Sequence, residues 1–221
     1  VPPAPVPQAD VCPQWLLFHT FRDENLEIYR LDGVEGQPDA KLFNLSNSDA
    51  VDCRHSRSPN DALVVFQSDR NLNIELYYTD VFGNGQTRLT NTLSNNLNPM
   101  FGPDNRAVAF QSDRNGNWDI FATDLNTRQE RQLTTNRASD ENPFWSPDLK
   151  WMAFQSNRNG NWDIFLLNTE TGNEVQLTRG NADEIFPIWS PNGKQIAYLS
   201  NPDGVWNLYV VDTNGQNVIQ I

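Results

Sequence analysis

One string returns five times along this chain: FRDENLEIYRLDG from Phe21, SDRNLNIELYYTD from Ser68, SDRNGNWDIFATD from Ser112, SNRNGNWDIFLLN from Ser156 and SNPDGVWNLYVVD from Ser200. The last four copies keep a spacing of 44 residues, and the first is offset by four more. A fixed period of about 20 to 50 residues marks an array of units that cannot bury their own faces and must stack on neighbours. Within one unit, residues 142–178, short aromatic and β-branched stretches alternate with Ser-Pro, Asn-Gly and Thr-Gly turn chemistry, and no sustained helical period appears. The expectation is an all-β propeller of five four-stranded blades over residues 14–221, behind a proline-rich segment or tether at residues 1–13.

The chain carries 28 acidic and 16 basic side chains, a net charge of −12, and only three lysines, Lys41, Lys150 and Lys194. That balance argues against a phosphate-binding footprint, and so against nucleic acid, and favours a cationic or neutral partner. No apolar run reaches the roughly 18 residues of a membrane span. Nucleophile-elbow, zinc-protease and phosphate-loop signatures are absent from the sequence, and its only imidazoles are His19 and His55. His19 occupies the slot that other repeats fill with Gln67, Gln111, Gln155 and Leu199, which reads as a packing position.

The motifs Pro-x-Trp-Ser-Pro from Pro143 and Pro187, an Ala-Phe or Ala-Tyr strand, Ser-Asp/Asn-Arg-Asn-Gly-Asn-Trp-Asp-Ile-Phe and Gln-Leu-Thr together resemble the TolB-type propeller repeat. The resemblance spans about residues 15–221 and is sharpest in the third and fourth copies. It implies a non-enzymatic, extracytoplasmic (periplasmic, cell-surface or secreted) protein-binding or assembly module without a cofactor. The family pattern has six blades behind an α/β domain, so five copies imply either a five-unit array or six blades with one outside this sequence. Two other classes stay open: a lectin-like sugar-binding propeller, and the propeller of a larger hydrolase.

Repeat equivalence supplies the candidate site. Asp52, Asn96, Asp140 and Glu184 fall one period apart, with Glu141 and Asp183 beside two of them, on what read as loops leading into the inner strands. Rotation about a propeller axis would make them an acidic channel mouth for a basic peptide or, at Asp52, Asp140 and Glu184, for calcium, which prefers clustered oxygen ligands. Leu26, Ile74, Trp118, Trp162 and Trp206 form a second ring, and the three tryptophans are either a binding face or covers for the blade junctions. The pairs Arg22 and Glu27, Arg70 and Glu75, Arg114 and Asp119, Arg158 and Asp163 read as structural ion pairs across a tight turn. The Asp-x-Asn-x-Asn string at Asp113 reads as turn chemistry. Cys12 and Cys53 are either one disulfide pinning the N-terminal segment or two small buried thiols.

Overall fold

A computed structural model describes residues 15–33 and 39–221. Among the described residues all regular structure is antiparallel sheet. The first sheet holds β1 (Trp15–Thr20), β2 (Glu27–Asp32) and β3 (Lys41–Asn44). The second holds β4 (Asp52–Arg57), β5 (Leu63–Ser68), β6 (Glu75–Asp80) and β7 (Thr87–Arg88). The third holds β8 (Asn96–Phe101), β9 (Ala107–Ser112), β10 (Asp119–Asp124) and β11 (Glu130–Gln132). The fourth holds β12 (Asp140–Trp145), β13 (Trp151–Ser156), β14 (Asp163–Asn168) and β15 (Glu174–Gln176). The fifth holds β16 (Glu184–Trp189), β17 (Gln195–Ser200), β18 (Asn207–Asp212) and β19 (Ile219–Gln220).

Each sheet is a meander, a blade of a β-propeller, and strand register repeats with the sequence period: Ala109 faces Ala122, Ala153 faces Leu166 and Ala197 faces Val210. The tether expected at residues 1–13 and Cys12, the candidate partner of Cys53, lie outside the described residues. Cys53 itself is a half-buried free thiol that accepts a hydrogen bond from Gln67 Nε2 at 3.4 Å.

The core is a series of inter-blade layers. In β13, Met152 and Phe154 pack toward the third blade with Ile120 and Ala109, while Ala153 packs the other way with Trp189, Ile196 and Tyr198 of the fifth. That period-2 division lets one strand serve two interfaces, each fully buried Phe, Ile or Met contributing about 1.5–3 kcal/mol. Similar layers join the first blade to the second and the second to the third. Among the described residues no strand of the fifth blade touches the first. Its outer face is correspondingly open: Leu208 is exposed where its fourth-blade equivalent, Ile164, is fully buried.

The hairpins between second and third strands obey the expected turn chemistry. Gly116, Gly160 and Gly204 adopt φ of 95°, 103° and 77°, a region open to glycine at no steric cost. The first two blades place Glu24 and Leu72 in the same left-handed conformation.

Candidate functional site

The inner strands β4, β8, β12 and β16 begin at Asp52, Asn96, Asp140 and Glu184 rather than after them, and all four side chains are buried. This corrects the expected acidic mouth. The backbone explains why: the N–H of each donates to the carbonyl of Leu26, Ile74, Trp118 or Trp162 of the preceding blade at 2.7–2.8 Å, drawing the residue into the junction. Trp118 and Trp162 are therefore half-buried junction residues, whereas Trp206, with no described blade beyond it, is 45% exposed. The three tryptophans do not share one level of exposure. Glu141 is half-buried and its carboxyl is pushed up, chiefly by burial. Asp183 is half-buried and accepts the Trp162 N–H at 3.0 Å.

The repeated arginines reach these inner-strand residues instead of the acids five positions on. Arg70 Nη2 meets Asp52 at 3.0 Å, Arg114 Nη2 meets the Asn96 amide oxygen at 2.9 Å, and Arg158 Nη2 meets Asp140 at 2.9 Å. Each guanidinium lies over an aromatic ring of the third strand, Tyr77, Phe121 or Phe165, at 4.4, 4.2 and 4.3 Å. The acids first paired with them are held otherwise: Glu75 by Arg88 and the Thr92 N–H, Asp119 by Gln132 and Asn117. Among the described residues no group of three or more His, Cys, Asp or Glu side chains is arranged to hold a metal ion. Asn117 Nδ2 bonds to the carbonyls of Asn136 and Ala138, so the Asp113 string serves a turn and a loop staple.

A different ring faces the axis. Each inner strand is broken by a bulge two residues in, where Arg54, Asn98, Asn142 and Phe186 adopt φ of 49–55°. The bulge turns the N–H of Asn98, Asn142 and Phe186 onto the side-chain oxygens of Gln67, Gln111 and Gln155 of the preceding blade, at 3.2, 3.0 and 3.0 Å. The glutamine slot is thus an inter-blade clamp. In the first blade His19 occupies it, exposed, its ring 5.8 Å from His55. Burial, with His19 adding repulsion, lowers His55 to about 4, so it is a neutral imidazole at neutral pH.

Beyond the bulge the strands open a groove of about 360 Å³ with Asn98, Asn142, Met100, Phe144, Phe186 and Ile188 among its walls. Asn98 Nδ2 donates to Gln111 and to Asn142 at 2.9 and 2.8 Å, forming a polar rail beside an apolar surface on which Phe186 is 41% and Ile188 51% exposed. The groove offers amides and apolar side chains together with the exposed Arg54 guanidinium, the chemistry of recognising extended chain. These residues escaped the sequence reading, which started the inner strands too late; the signal present was Asn-Pro, Asn-Pro and Phe-Pro at 98, 142 and 186.

A family model described as the TolB beta propeller domain matches residues 56–221. No curated protein sequence matches the chain. Among solved structures, a protein assigned as TolB from Agrobacterium tumefaciens superposes with a TM-score of 0.78 at 22% identity, covering 94% of this chain and 76% of that one. TolB from Acinetobacter baumannii gives 0.76 at 24% identity, covering 94% of this chain and 51% of its own. Oligogalacturonate lyase from Vibrio parahaemolyticus gives 0.65 at 14% identity, covering 93% and 59%. At these identities the superpositions establish a fold common to proteins of different activities.

Proposed function

The chain belongs to the TolB beta propeller domain family, and from that premise we propose that it is a non-enzymatic module that binds an extended polypeptide segment outside the cytoplasm. The observation that carries this reading is the axial groove, with the exposed apolar pair Phe186 and Ile188 beside the Asn98 and Asn142 amides. An extended peptide alternates apolar side chains with backbone amides, and the groove matches both. His55, the imidazole on its wall, is held neutral, and Glu141 nearby is spent on Gln111. The extracytoplasmic assignment rests on the family resemblance.

The test is selection of peptides from a displayed library on the full chain, followed by rebinding to the Phe186→Ser/Ile188→Asp double variant and to Leu93→Asp, a charge placed on a fully exposed loop side chain. Loss of apolar anchors at an interface centre costs at least about 2 kcal/mol, so the double variant is expected to bind roughly thirtyfold more weakly while Leu93→Asp binds as wild type. Equal binding by all three proteins would overturn the groove as the site.

A further inference from the structure

The arginine seat recurs in three blades with the same parts. Arg114 Nε donates to Ser112 Oγ at 3.0 Å and Arg158 Nε to Ser156 Oγ at 2.9 Å, while Arg70 Nε meets Ser68 Oγ at 2.7 Å. The floor is a pair of rings with centroids 5.8–6.1 Å apart: Phe66 with Tyr77, Phe110 with Phe121, Phe154 with Phe165. One wall is the first residue of the inner strand, Asp52, Asn96 or Asp140.

The fifth blade has the same floor and walls. Tyr198 and Tyr209 stack at 5.9 Å with an interplanar angle of 23°, Ser200 takes the serine position and Glu184 the inner-strand position. In place of the arginine stands Pro202. Glu184 is only 7% exposed; Ser200 Oγ reaches its Oε1 at a long 3.4 Å, Thr178 and Asp163 lie against the carboxyl, and its Oε2 is buried without a donor in ordinary hydrogen-bond geometry. Asp163 Oδ1 of the fourth blade likewise has no ordinary donor and faces Glu184 as a carboxyl pair with mutual repulsion; Asp140 Oδ2 is also without a donor although Arg158 meets Oδ1 of the same carboxylate. Unsatisfied buried carboxylate oxygens are costly, and what sets the fifth blade apart is that no guanidinium meets either oxygen of its inner-strand acid. The seat opens into a cleft of about 810 Å³ bordered by Glu184, Ser200, Pro202, Tyr198, Tyr209 and Val218.

We propose that this cleft, whose rim carries the exposed Arg179 near Asp163 and whose arginine position is taken by Pro202, is an arginine socket, and that it takes the guanidinium of an arginine presented by a polypeptide partner. The occupant is read from the molecule itself: three sibling seats of like geometry hold a guanidinium. A stacked aromatic floor suits a planar cation, a serine oxygen is placed for Nε and a carboxylate for the Nη edge, a set that a compact ammonium or a hard metal ion does not use fully. Val218 stands where Gln86, Glu130 and Glu174 add a further acceptor in the other blades, so the socket relies on Glu184 for its charge. The socket is built from the fourth and fifth blades alone and is separate from the axial groove, so either site can fail without the other.

The experiment titrates the full chain with the blocked peptide acetyl-Gly-Arg-Gly-amide and with its citrulline and lysine counterparts. The arginine peptide is expected to bind, and the citrulline peptide, isosteric and uncharged, at least about tenfold more weakly. Glu184→Gln is expected to lower arginine-peptide affinity by a similar factor with folding intact by circular dichroism. Pro202→Arg is expected to abolish peptide binding and raise the melting temperature, because the chain then fills its own socket. Equal binding of the arginine and citrulline peptides would overturn the proposal, as would a lysine peptide or calcium chloride binding as well as arginine. Unchanged arginine-peptide binding by a folded Glu184→Gln protein would also overturn it.

Discussion

The fourth and fifth blades carry a buried acid at the equivalent position, Asp140 and Glu184, in two different electrostatic settings. Asp140 meets Arg158, which also reaches Glu174, and the guanidinium is sandwiched against Phe165. Glu184 has Ser200 at long range, Thr178 and a facing Asp163 beside it, and Pro202 where the sibling arginine stands, with Arg179 at the rim of the cleft nearer Asp163. Burial pushes both carboxyls up, and Glu184 goes to about 7, with Asp163 adding to the rise. A repeat makes this contrast readable, because one blade shows what the other lacks at an equivalent position. A third setting lies at the second junction, where Asn96 Nδ2 donates to Glu75 Oε2 at 3.1 Å and removes the like-charge conflict altogether.

The strongest way to break the contrast is to strip the blade whose seat is filled. Asp140→Ala leaves Arg158 partly buried without its main inner-strand partner, and deletion of one member of such a pair is expected to cost about 3 kcal/mol in urea unfolding. A cost under about 1 kcal/mol would mean that Glu174 alone holds the guanidinium. At the fifth blade the sign reverses. Glu184→Gln gives Asp163 an amide donor, as Asn96 gives Glu75, and is expected to stabilise the protein above pH 7.

The pH dependence of that reversal follows from linkage. The folded Glu184 carboxyl titrates at about 7 against 4.5 for the unfolded chain, so between these values the folded state holds a proton that the unfolded state releases. Stability therefore falls as pH rises from about 4.5 to about 7 and stays at the lower level above. The whole shift would amount to about 3 kcal/mol, reduced to about 2 because the cleft admits solvent. His55 slopes the other way, since its folded value of about 4 lies below the usual 6.5 and stability is lost as pH falls through that window. Subtracting the Glu184→Gln curve from the wild-type curve isolates the first effect; a difference that stays flat from pH 4.5 to 7 would refute the raised carboxyl.

Much of the fold was legible because the 44-residue spacing repeats whole blades and the Asn-Gly turns demand hairpins. The error at Asp52, Asn96, Asp140 and Glu184 has a physical origin. Strand starts are set by backbone bonds to the preceding blade, such as the one from the Glu184 N–H to the Trp162 carbonyl at 2.7 Å, and those partners are remote in sequence. An acid read locally looks solvated, and only the stacking of blades buries it. The arginine pairing failed for the same reason: Arg158 and Asp163 are neighbours in sequence, but the Phe165 ring steers the guanidinium toward Asp140. The bulge that builds the axial groove was visible only as an Asn-Pro or Phe-Pro step, because a left-handed Asn98 or Phe186 is selected by the Gln67 and Gln155 clamps rather than by its own side chain.

Filling the deficient seat is a smaller perturbation than emptying a complete one. Pro202→Arg is expected to add about 1 kcal/mol at pH 7, the charge-assisted bonds to Glu184 and Ser200 being offset in part by the greater freedom of the unfolded chain once proline is lost. The finest discrimination comes from the serines. Ser156 Oγ accepts the Arg158 Nε bond at 2.9 Å, so Ser156→Ala is expected to cost about 1 kcal/mol, whereas Ser200 Oγ makes only the 3.4 Å contact with Glu184 and Ser200→Ala is expected to cost close to nothing. In the Pro202→Arg background Ser200 acquires the Nε partner its siblings have, and its removal should then cost as much as that of Ser156. A double-mutant cycle over Pro202→Arg and Ser200→Ala measures that coupling directly, with about 1 kcal/mol expected. Zero coupling would mean that the introduced guanidinium lies elsewhere, and the likeness of the Tyr198 and Tyr209 floor to the Phe154 and Phe165 floor would then be one of shape without function.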